Sequence, residues 1–401
     1  MIAEPESEAD GLLAEPETEP SVEEEPPPSW WTRWGPRMPL VFVGLTVVFN
    51  LWALHPNAYS TDFANDSSVH IAMARWANLR IGQGHLPFDG WFPYLDLGSP
   101  RFHHYQALPA IVTGAIGTVT GTDGAFHWIT YLLIALWPIC VFGSVRLMGW
   151  GPWVAASAAV VSPLIVSHPS LGYEWSSYTW GGYGLYTQLW GMWLLPLSWA
   201  LTWRAVSGRG SYWPAALVTA LCIGAHLLTG YLALLLIGVW VLVKPSQFLR
   251  RVGRAALVGA GSVLGAAWML VPLLVDERWT TQDPFSRGNA AYDSFGAPKV
   301  LSWLVSGAIF DNNRFPVVSL LAGVGLIVCI ARFRRDERAR VVIGAFLVSL
   351  FLFFGRVTWG SALKVLPGSG DLFLRRYVFG VHLAGIVLAG VGAIASGHAL
   401  R

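Results

Sequence analysis

The chain contains few charged residues for its length. Of its 401 residues, 12% are Asp, Glu, Lys or Arg and 54% are hydrophobic, whereas about 25% of an ordinary soluble domain is charged. Runs of about 17 to 25 residues without charge recur along the chain, and each is long enough to cross a bilayer. This distribution excludes a set of ordinary soluble domains and predicts a polytopic α-helical membrane protein.

Cysteine is also scarce. Cys140, Cys222 and Cys329 all fall inside apolar segments, and their spacing fits neither a zinc site nor a disulfide framework. We therefore expect three small buried hydrophobic side chains. No basic patch lies on a soluble segment, so a nucleic-acid partner is not expected.

The N-terminal segment lacks basic residues, the first being Arg33. Residues 1–32 are rich in Glu and Pro and hold too little apolar surface to fold. They also lack the basic region and cleavage site of a signal peptide. We expect a disordered acidic cytoplasmic tail, either solvated or bound to a protein partner, followed by a transmembrane domain over residues 33–401.

The apolar segments predict an all-α bundle of about eleven spans. They lie near 39–54, 107–120, 127–145, 151–167, 186–203, 212–228, 229–243, 255–275, 316–331, 341–355 and 377–396. The stretch 212–243 is too long for one untilted helix, and its "HLLTGY" sequence predicts the turn of a hairpin.

Lysine and arginine in short loops predict the orientation of the chain. Residues 244–254 and 332–340 are strongly basic and should be cytoplasmic, as should the N-terminus of this multi-pass cell-membrane protein. Four segments then fall outside, and we call them the outer loops: 56–105, 168–185, 276–315 and 356–375. Two loops on the same side need an even number of crossings between them, and three apolar segments separate the first outer loop from the second. We therefore expect the weak 107–120 segment to be re-entrant or interfacial.

The first outer loop predicts an amphipathic helix that begins near Asp66 and ends at Gly82–Gly84. Ile71, Ala74, Trp76 and Leu79 should form its apolar side. Asp62, Asp66 and His70 are four residues apart in each step, so they share one helical face if the helix begins early enough. That set suits a general base or a divalent-metal site. The alternative is that an aspartate only caps the helix and that His70 is solvated.

After Asp66 to His70, this loop continues with Gly84-His85-Leu86-Pro87 and Trp91, then Gly98-Ser99-Pro100 and the aromatic entry Phe102 to Tyr105. This ordered set resembles the first extracytoplasmic loop of GT-C superfamily membrane glycosyltransferases. More narrowly, it is similar to actinobacterial membrane proteins related to 6-pyruvoyl-tetrahydropterin synthase and to YfhO-type proteins.

The resemblance implies transfer of a sugar from a polyprenyl-phosphate donor to a glycan or glycolipid acceptor at the outer membrane surface. Asp66 best matches the family's catalytic carboxylate, with Asp62 as the rival. Some members of the superfamily need a divalent metal (Mg, Mn or Ca here), and Asp66, His70 and Glu174 could bind it. His103 and His104, in the aromatic entry, are further substrate-binding candidates.

The second outer loop surrounds Glu174 with aromatic residues, which suit carbohydrate. They include Tyr173, Trp175, Tyr178 and Trp180. The alternative is an interfacial aromatic belt, which any membrane protein can have.

Three further residues could handle the carrier lipid. His226 lies within an apolar hairpin, where an ionisable group is either functional or a hydrogen-bonded structural histidine. Arg375 and Arg376 lie on the outer side, against the positive-inside bias. They could bind a phosphate or pair with Asp371.

Two other functions compete with sugar transfer. A transporter or flippase of a lipid-linked intermediate predicts internal repeats and broken, charged helices at mid-membrane. The sequence has no convincing repeat, and its charges cluster in the outer loops. A non-catalytic scaffold of an envelope complex would use the acidic tail as its binding segment.

Overall fold

The computed structural model describes residues 35, 37–55, 65–95, 97–178, 183–277 and 288–399. Over these residues the fold is helical, with two isolated β-bridges, Phe92 to Ser99 and Val166 to Asp311. Residues Arg37–Arg401 form one compact unit. The predicted disordered tail, 1–32, lies outside the described residues.

The described residues form seventeen α-helices. They are α1 (Met38–Leu54), α2 (Ser67–Gly82), α3 (Arg101–His104), α4 (Leu108–Thr120), α5 (Thr122–Ala135), α6 (Trp137–Leu147), α7 (Pro152–Val161), α8 (Tyr186–Val206), α9 (Tyr212–Ala225), α10 (Leu227–Leu242), α11 (Phe248–Gly265), α12 (Ala267–Val275), α13 (Ala290–Asp293), α14 (Ala297–Ser306), α15 (Val317–Ala331), α16 (Glu337–Trp359) and α17 (Val378–Ala399).

The apolar helices support a membrane protein, but the structure does not show eleven spans. By length and composition, two segments of the described chain could each cross a bilayer, Glu337–Val365 and Leu374–Ala399. The number rises to four if each of two bent helix pairs, α5 with α6 and α10 with α11, is one span. Five further apolar helices have 10–17 residues, because breaks divide runs that look continuous in the sequence.

Helix α17 forms the centre of the bundle, and its side chains from Val378 to Gly392 are all buried. It crosses α15 at very short range, because a Cβ on Gly325 would overlap the Leu388 carbonyl oxygen and one on Gly392 would overlap that of Leu321. Small residues allow this kind of close packing between membrane helices.

The amphipathic helix of the first outer loop is present as α2, Ser67–Gly82, close to its predicted bounds. It buries Ile71 and Ala74 as expected, together with Met73 and Ala77, whereas Leu79 is 48% exposed. Leu79 therefore lies outside the buried face of α2, which follows the contact with α4.

Helix α4 packs tightly along α2. The Asn78 amide donates to the Gly114 carbonyl oxygen at 3.0 Å, and a Cβ on Gly114 would lie 2.7 Å from the Ala74 carbonyl oxygen. Helix α4 has 13 residues, which span about 20 Å at 1.5 Å per residue, against about 30 Å for a bilayer core. The re-entrant or interfacial placement of this segment stays a prediction, because other apolar helices of the described fold are equally short.

The four outer loops contact one another. His103 of the first loop bonds Asp276 of the third at 2.8 Å, and the His168 N–H of the second donates to the Ala308 carbonyl oxygen of the third at 2.8 Å. Arg356, in the fourth loop, donates to the Tyr292 carbonyl oxygen of the third loop at 2.8 Å.

The two basic segments predicted to be cytoplasmic form a second group of contacts. Arg340 donates to the Val243 carbonyl oxygen at 2.8 Å, and buried Arg251 pairs with Glu337. These contacts join the two basic segments to each other, and their side of the membrane stays a prediction.

Candidate functional site

Asp66 stands at the N-cap position of α2, but its side chain makes no capping hydrogen bond. It is exposed, and it lies within electrostatic range of Arg376 and Tyr105. The carboxylate is therefore not used up as a helix cap and can meet a ligand. The rival base, Asp62, lies outside the described residues.

The second outer loop meets Asp66 through Gly184. This glycine has a φ of +77°, and a Cβ on it would lie 2.5 Å from the Ser67 amide nitrogen and 3.0 Å from the Asp66 carbonyl carbon. A side chain at position 184 would clash with the backbone of Asp66 and Ser67, and a residue other than glycine would be strained at this positive φ. The close approach brings the start of α8 against the N-terminus of α2.

His70 is buried, 4% exposed, one turn after Asp66. Its ring lies 6.0 Å from that of Tyr105 and 5.9 Å from that of Tyr186. Burial lowers the pKa of His70 to about 3, and the charges of Arg101 and Arg376 add to the shift. His70 is therefore neutral at physiological pH, and it lies close to two guanidinium groups.

The two outer arginines have different environments. Arg375 donates to the Pro169 carbonyl oxygen at 2.8 Å and to Ser170 Oγ at 2.9 Å. The Arg376 side chain makes one hydrogen bond among the described residues, to Gln188 Oε1 at 3.3 Å. Neither pairs with Asp371 or any other carboxylate of the described chain, so Arg376 is the better placed to bind an anion.

Arg101 supplies a second guanidinium that sequence reasoning missed. It stacks 4.5 Å above the Tyr105 ring, and its Nε is buried without a hydrogen-bond partner among the described residues. Together with Arg376 it surrounds His70 and Tyr105 with positive charge. Among the described residues, Asp66 is the carboxylate whose charge acts on Arg376 and Tyr105.

The aromatic residues of the second outer loop pack into the protein. Tyr173 is 1% exposed and contacts Trp137 and Phe379, while the buried Tyr178 hydroxyl donates to the Gly172 carbonyl oxygen at 3.0 Å. These two rings therefore anchor the loop instead of forming a sugar-binding platform. Trp175 stacks against Phe49 at 6.5 Å, and Trp180 lies outside the described residues.

Glu174 is buried, 2% exposed, and holds its own loop. Its Oε1 accepts from Ser177 Oγ at 2.7 Å and from the Gly172 N–H at 3.3 Å. Its Oε2 has no hydrogen-bond partner among the described residues and lies 3.6 Å from His382 Nδ1. Burial raises the pKa of Glu174 above its ordinary value.

Of the three remaining candidate histidines, His103 and His226 have structural hydrogen bonds. His103 holds Asp276, and the His104 Nε2 is buried without a partner in the described chain. His226 breaks the helix between α9 and α10, and its Nδ1 accepts from the Thr229 N–H at 3.4 Å. This is the structural role that competed with lipid binding.

The proposed metal ligands are not brought together. Among the described residues, no group of three His, Cys, Asp or Glu side chains could hold a metal ion. Glu174 is turned toward its own loop and His382, and Asp66 lies at the outer end of α2. Asp66, His70 and Glu174 therefore do not fit a shared divalent cation.

The fold is similar to that of the oligosaccharyltransferase AglB from Archaeoglobus fulgidus. The apo form matches with a TM-score of 0.56 at 11% identity over 92% of this chain. The form tethered to an acceptor peptide matches with a TM-score of 0.55 at 12% identity over 93% of this chain. The complex with an inhibitory peptide and a dolichol-phosphate matches with a TM-score of 0.53 at 13% identity over 92% of this chain.

The chain spans about half the length of these neighbours, 52%, 51% and 51% respectively. No family model and no curated protein matches the sequence. At 11–13% identity the likeness shows a similar fold alone, so membership of the GT-C superfamily stays a prediction, and the narrower actinobacterial and YfhO-type resemblance is not confirmed.

Proposed function

We propose that the protein is a membrane glycosyltransferase that moves a sugar from a polyprenyl-phosphate donor to a cell-envelope glycan or glycolipid. The observation that carries the proposal is the exposed, uncapped carboxylate of Asp66 within electrostatic range of Arg376, whose guanidinium bonds no carboxylate of the described chain. A base and a cation at one place suit a reaction in which a hydroxyl attacks and a phosphate leaves.

In the proposed reaction, Asp66 takes the proton of the acceptor hydroxyl while that oxygen attacks the anomeric carbon. The bond between the anomeric carbon and the phosphate oxygen breaks with inversion, and the phosphate leaves with the electron pair. Arg376, with Arg101 nearby, offsets the charge on the leaving phosphate. The dolichol-phosphate bound to one structural neighbour supports a lipid of this class.

Asp66→Asn tests the proposal. We expect sugar transfer from a panel of radiolabelled polyprenyl-phosphate hexoses and pentoses to native membranes to fall by about a hundredfold or more, the range for a missing general base. Binding of farnesyl phosphate should persist, because Arg376 is intact. Asp123→Asn is the matched control, since Asp123 is exposed and pairs with Arg75.

Normal transfer by the Asp66 variant would contradict the proposed base. The transporter and scaffold alternatives predict that outcome, because neither needs Asp66 to form a glycosidic bond. A divalent cation and a protein partner for the acidic tail stay predictions. Chelation with EDTA during the same assay tests the cation.

A further inference from the structure

Gln188 is fully buried in the first turn of α8, where it joins the second outer loop to Arg376. Its Nε2 donates to the Leu171 carbonyl oxygen at 2.7 Å and reaches the Gly172 carbonyl oxygen at 3.3 Å. The Tyr178 hydroxyl lies 3.3 Å from the same nitrogen.

These contacts fix the orientation of the amide. Two carbonyl oxygens must face the NH₂ group, because the opposite orientation would set oxygen against oxygen and NH₂ against a guanidinium. The Gln188 Oε1 atom therefore faces Arg376 and accepts from its Nη1 at 3.3 Å. The Leu171 and Gly172 carbonyl groups thus determine that Arg376 faces the oxygen of the Gln188 amide.

The partner of Arg376 is neutral. A guanidinium has five N–H donors, and Arg376 uses one of them on the described part of the chain. A carboxylate in place of the amide would orient the arginine equally well, but it would also cancel the charge. An apolar side chain would leave the charge intact and the arginine free to rotate.

We propose that Gln188 is a positioning residue that holds the Arg376 guanidinium in a fixed orientation while leaving its charge available to the phosphate of an isoprenyl-phosphate lipid. The inference rests on the proposed function and extends it to a buried residue that contacts no substrate. The effect of Gln188 on phosphate binding should pass through Arg376, so the two residues should be thermodynamically coupled.

A double-mutant cycle on the full-length protein in detergent tests the coupling. The variants are Gln188→Met, Arg376→Gln and the pair, and the probes are farnesyl phosphate, farnesol and inorganic phosphate. Ser177→Ala is the matched control, because Ser177 Oγ holds Glu174 and the Leu171 N–H of the same loop without touching Gln188 or Arg376. Melting temperatures report whether each variant folds.

We expect Gln188→Met to weaken farnesyl phosphate binding by about tenfold, the effect of losing one hydrogen bond to a charged group. Farnesol binding should not change, and Ser177→Ala should bind like the wild type. Inorganic phosphate should bind more weakly than farnesyl phosphate, because the site takes a lipid. The double variant should bind no more weakly than Arg376→Gln alone.

The positioning role would be overturned if the loss of farnesyl phosphate affinity in the double variant equalled the product of the two single losses. It would also be overturned if Gln188→Met bound farnesyl phosphate as tightly as the wild type. Both results would leave the phosphate site of the proposed function intact. An Arg376→Gln variant that binds farnesyl phosphate like the wild type would overturn both. Equal weakening by Gln188→Met and Ser177→Ala would reduce Gln188 to a loop anchor.

Discussion

At the residue scale, Glu174 is an acid in an environment that disfavours its charge. Its Oε2 faces His382 Nδ1, and that nitrogen already accepts from the Tyr173 N–H at 3.0 Å, while His382 Nε2 donates to the Ile309 carbonyl oxygen. Two acceptors therefore meet when Glu174 is ionised. The carboxyl holds the loop through Oε1 and leaves the second oxygen unsatisfied.

We predict that Glu174→Gln stabilises the protein at the pH values where the Glu174 carboxyl is ionised. The amide keeps the Oε1 contacts and presents N–H donors to His382, and a buried polar atom without a partner costs about 1–3 kcal/mol. A gain of roughly 1 kcal/mol should raise the Tm by about 2–4 °C. Thermal unfolding in detergent at several pH values measures the effect.

The pH dependence has a defined sign. Because burial raises the pKa of Glu174 in the folded protein, the folded state holds the proton more tightly, and wild-type stability falls as pH rises from the ordinary carboxyl pKa through the folded pKa. The variant lacks this dependence, so the two proteins should converge at low pH. A stabilisation that is the same at every pH would show that ionisation is not its cause.

Residues differ in how far the sequence reveals them. Asp66 follows an apolar span, and Arg376 runs against the charge bias of membrane loops, so both stand out in the sequence itself. Gln188 and Gly184 carry no such signal, because their roles exist only where distant segments meet. Tyr173 and Tyr178 mislead for the opposite reason, since an aromatic side chain suits both a sugar and a core.

At the element scale, the close crossing of α15 and α17 depends on glycine at one side of α15. Gly325 lies against the Leu388 carbonyl oxygen, whereas a Cβ on Gly323, two residues earlier in the same helix, would meet nothing within 4 Å. The two glycines therefore allow a matched comparison of packing against helix propensity.

We predict that Gly325→Ala destabilises the protein by about 1–3 kcal/mol, the cost of overpacking a core. Gly323→Ala should be neutral or stabilising by up to about 1 kcal/mol, because alanine favours the helix. Urea or thermal unfolding in one detergent compares the two variants. Equal stability of both would mean that the helices can separate at no cost, contrary to the described packing.

Element boundaries show where sequence reasoning stops. The α2 helix could be predicted, because its start and its terminal glycines lie in a polar loop with clear signals. The spans could not be counted, because an uncharged run does not show where a helix breaks. His226 divides one such run into α9 and α10, and Gly121 separates α4 from α5.

At the scale of the whole molecule, the outer loops depend on one another. The second loop contacts the first at Gly184, the third at His168 and the fourth at Arg375. Asp66 and Arg376, which are far apart in sequence, come within electrostatic range because of these contacts. The candidate site is thus a property of the assembled loops.

The outer loops should also share one side of the membrane. Single cysteines at Leu97, Lys299 and Asp371, all exposed in three different outer loops, should react with a membrane-impermeant maleimide in intact cells. Cysteines at exposed Arg250 and Arg335 should react only after permeabilisation, because lysine and arginine favour the cytoplasmic side. The unmodified protein is the background control, since Cys140, Cys222 and Cys329 are all buried. Labelling of Leu97→Cys and Arg335→Cys from the same side would contradict both the orientation and an outward-facing Asp66.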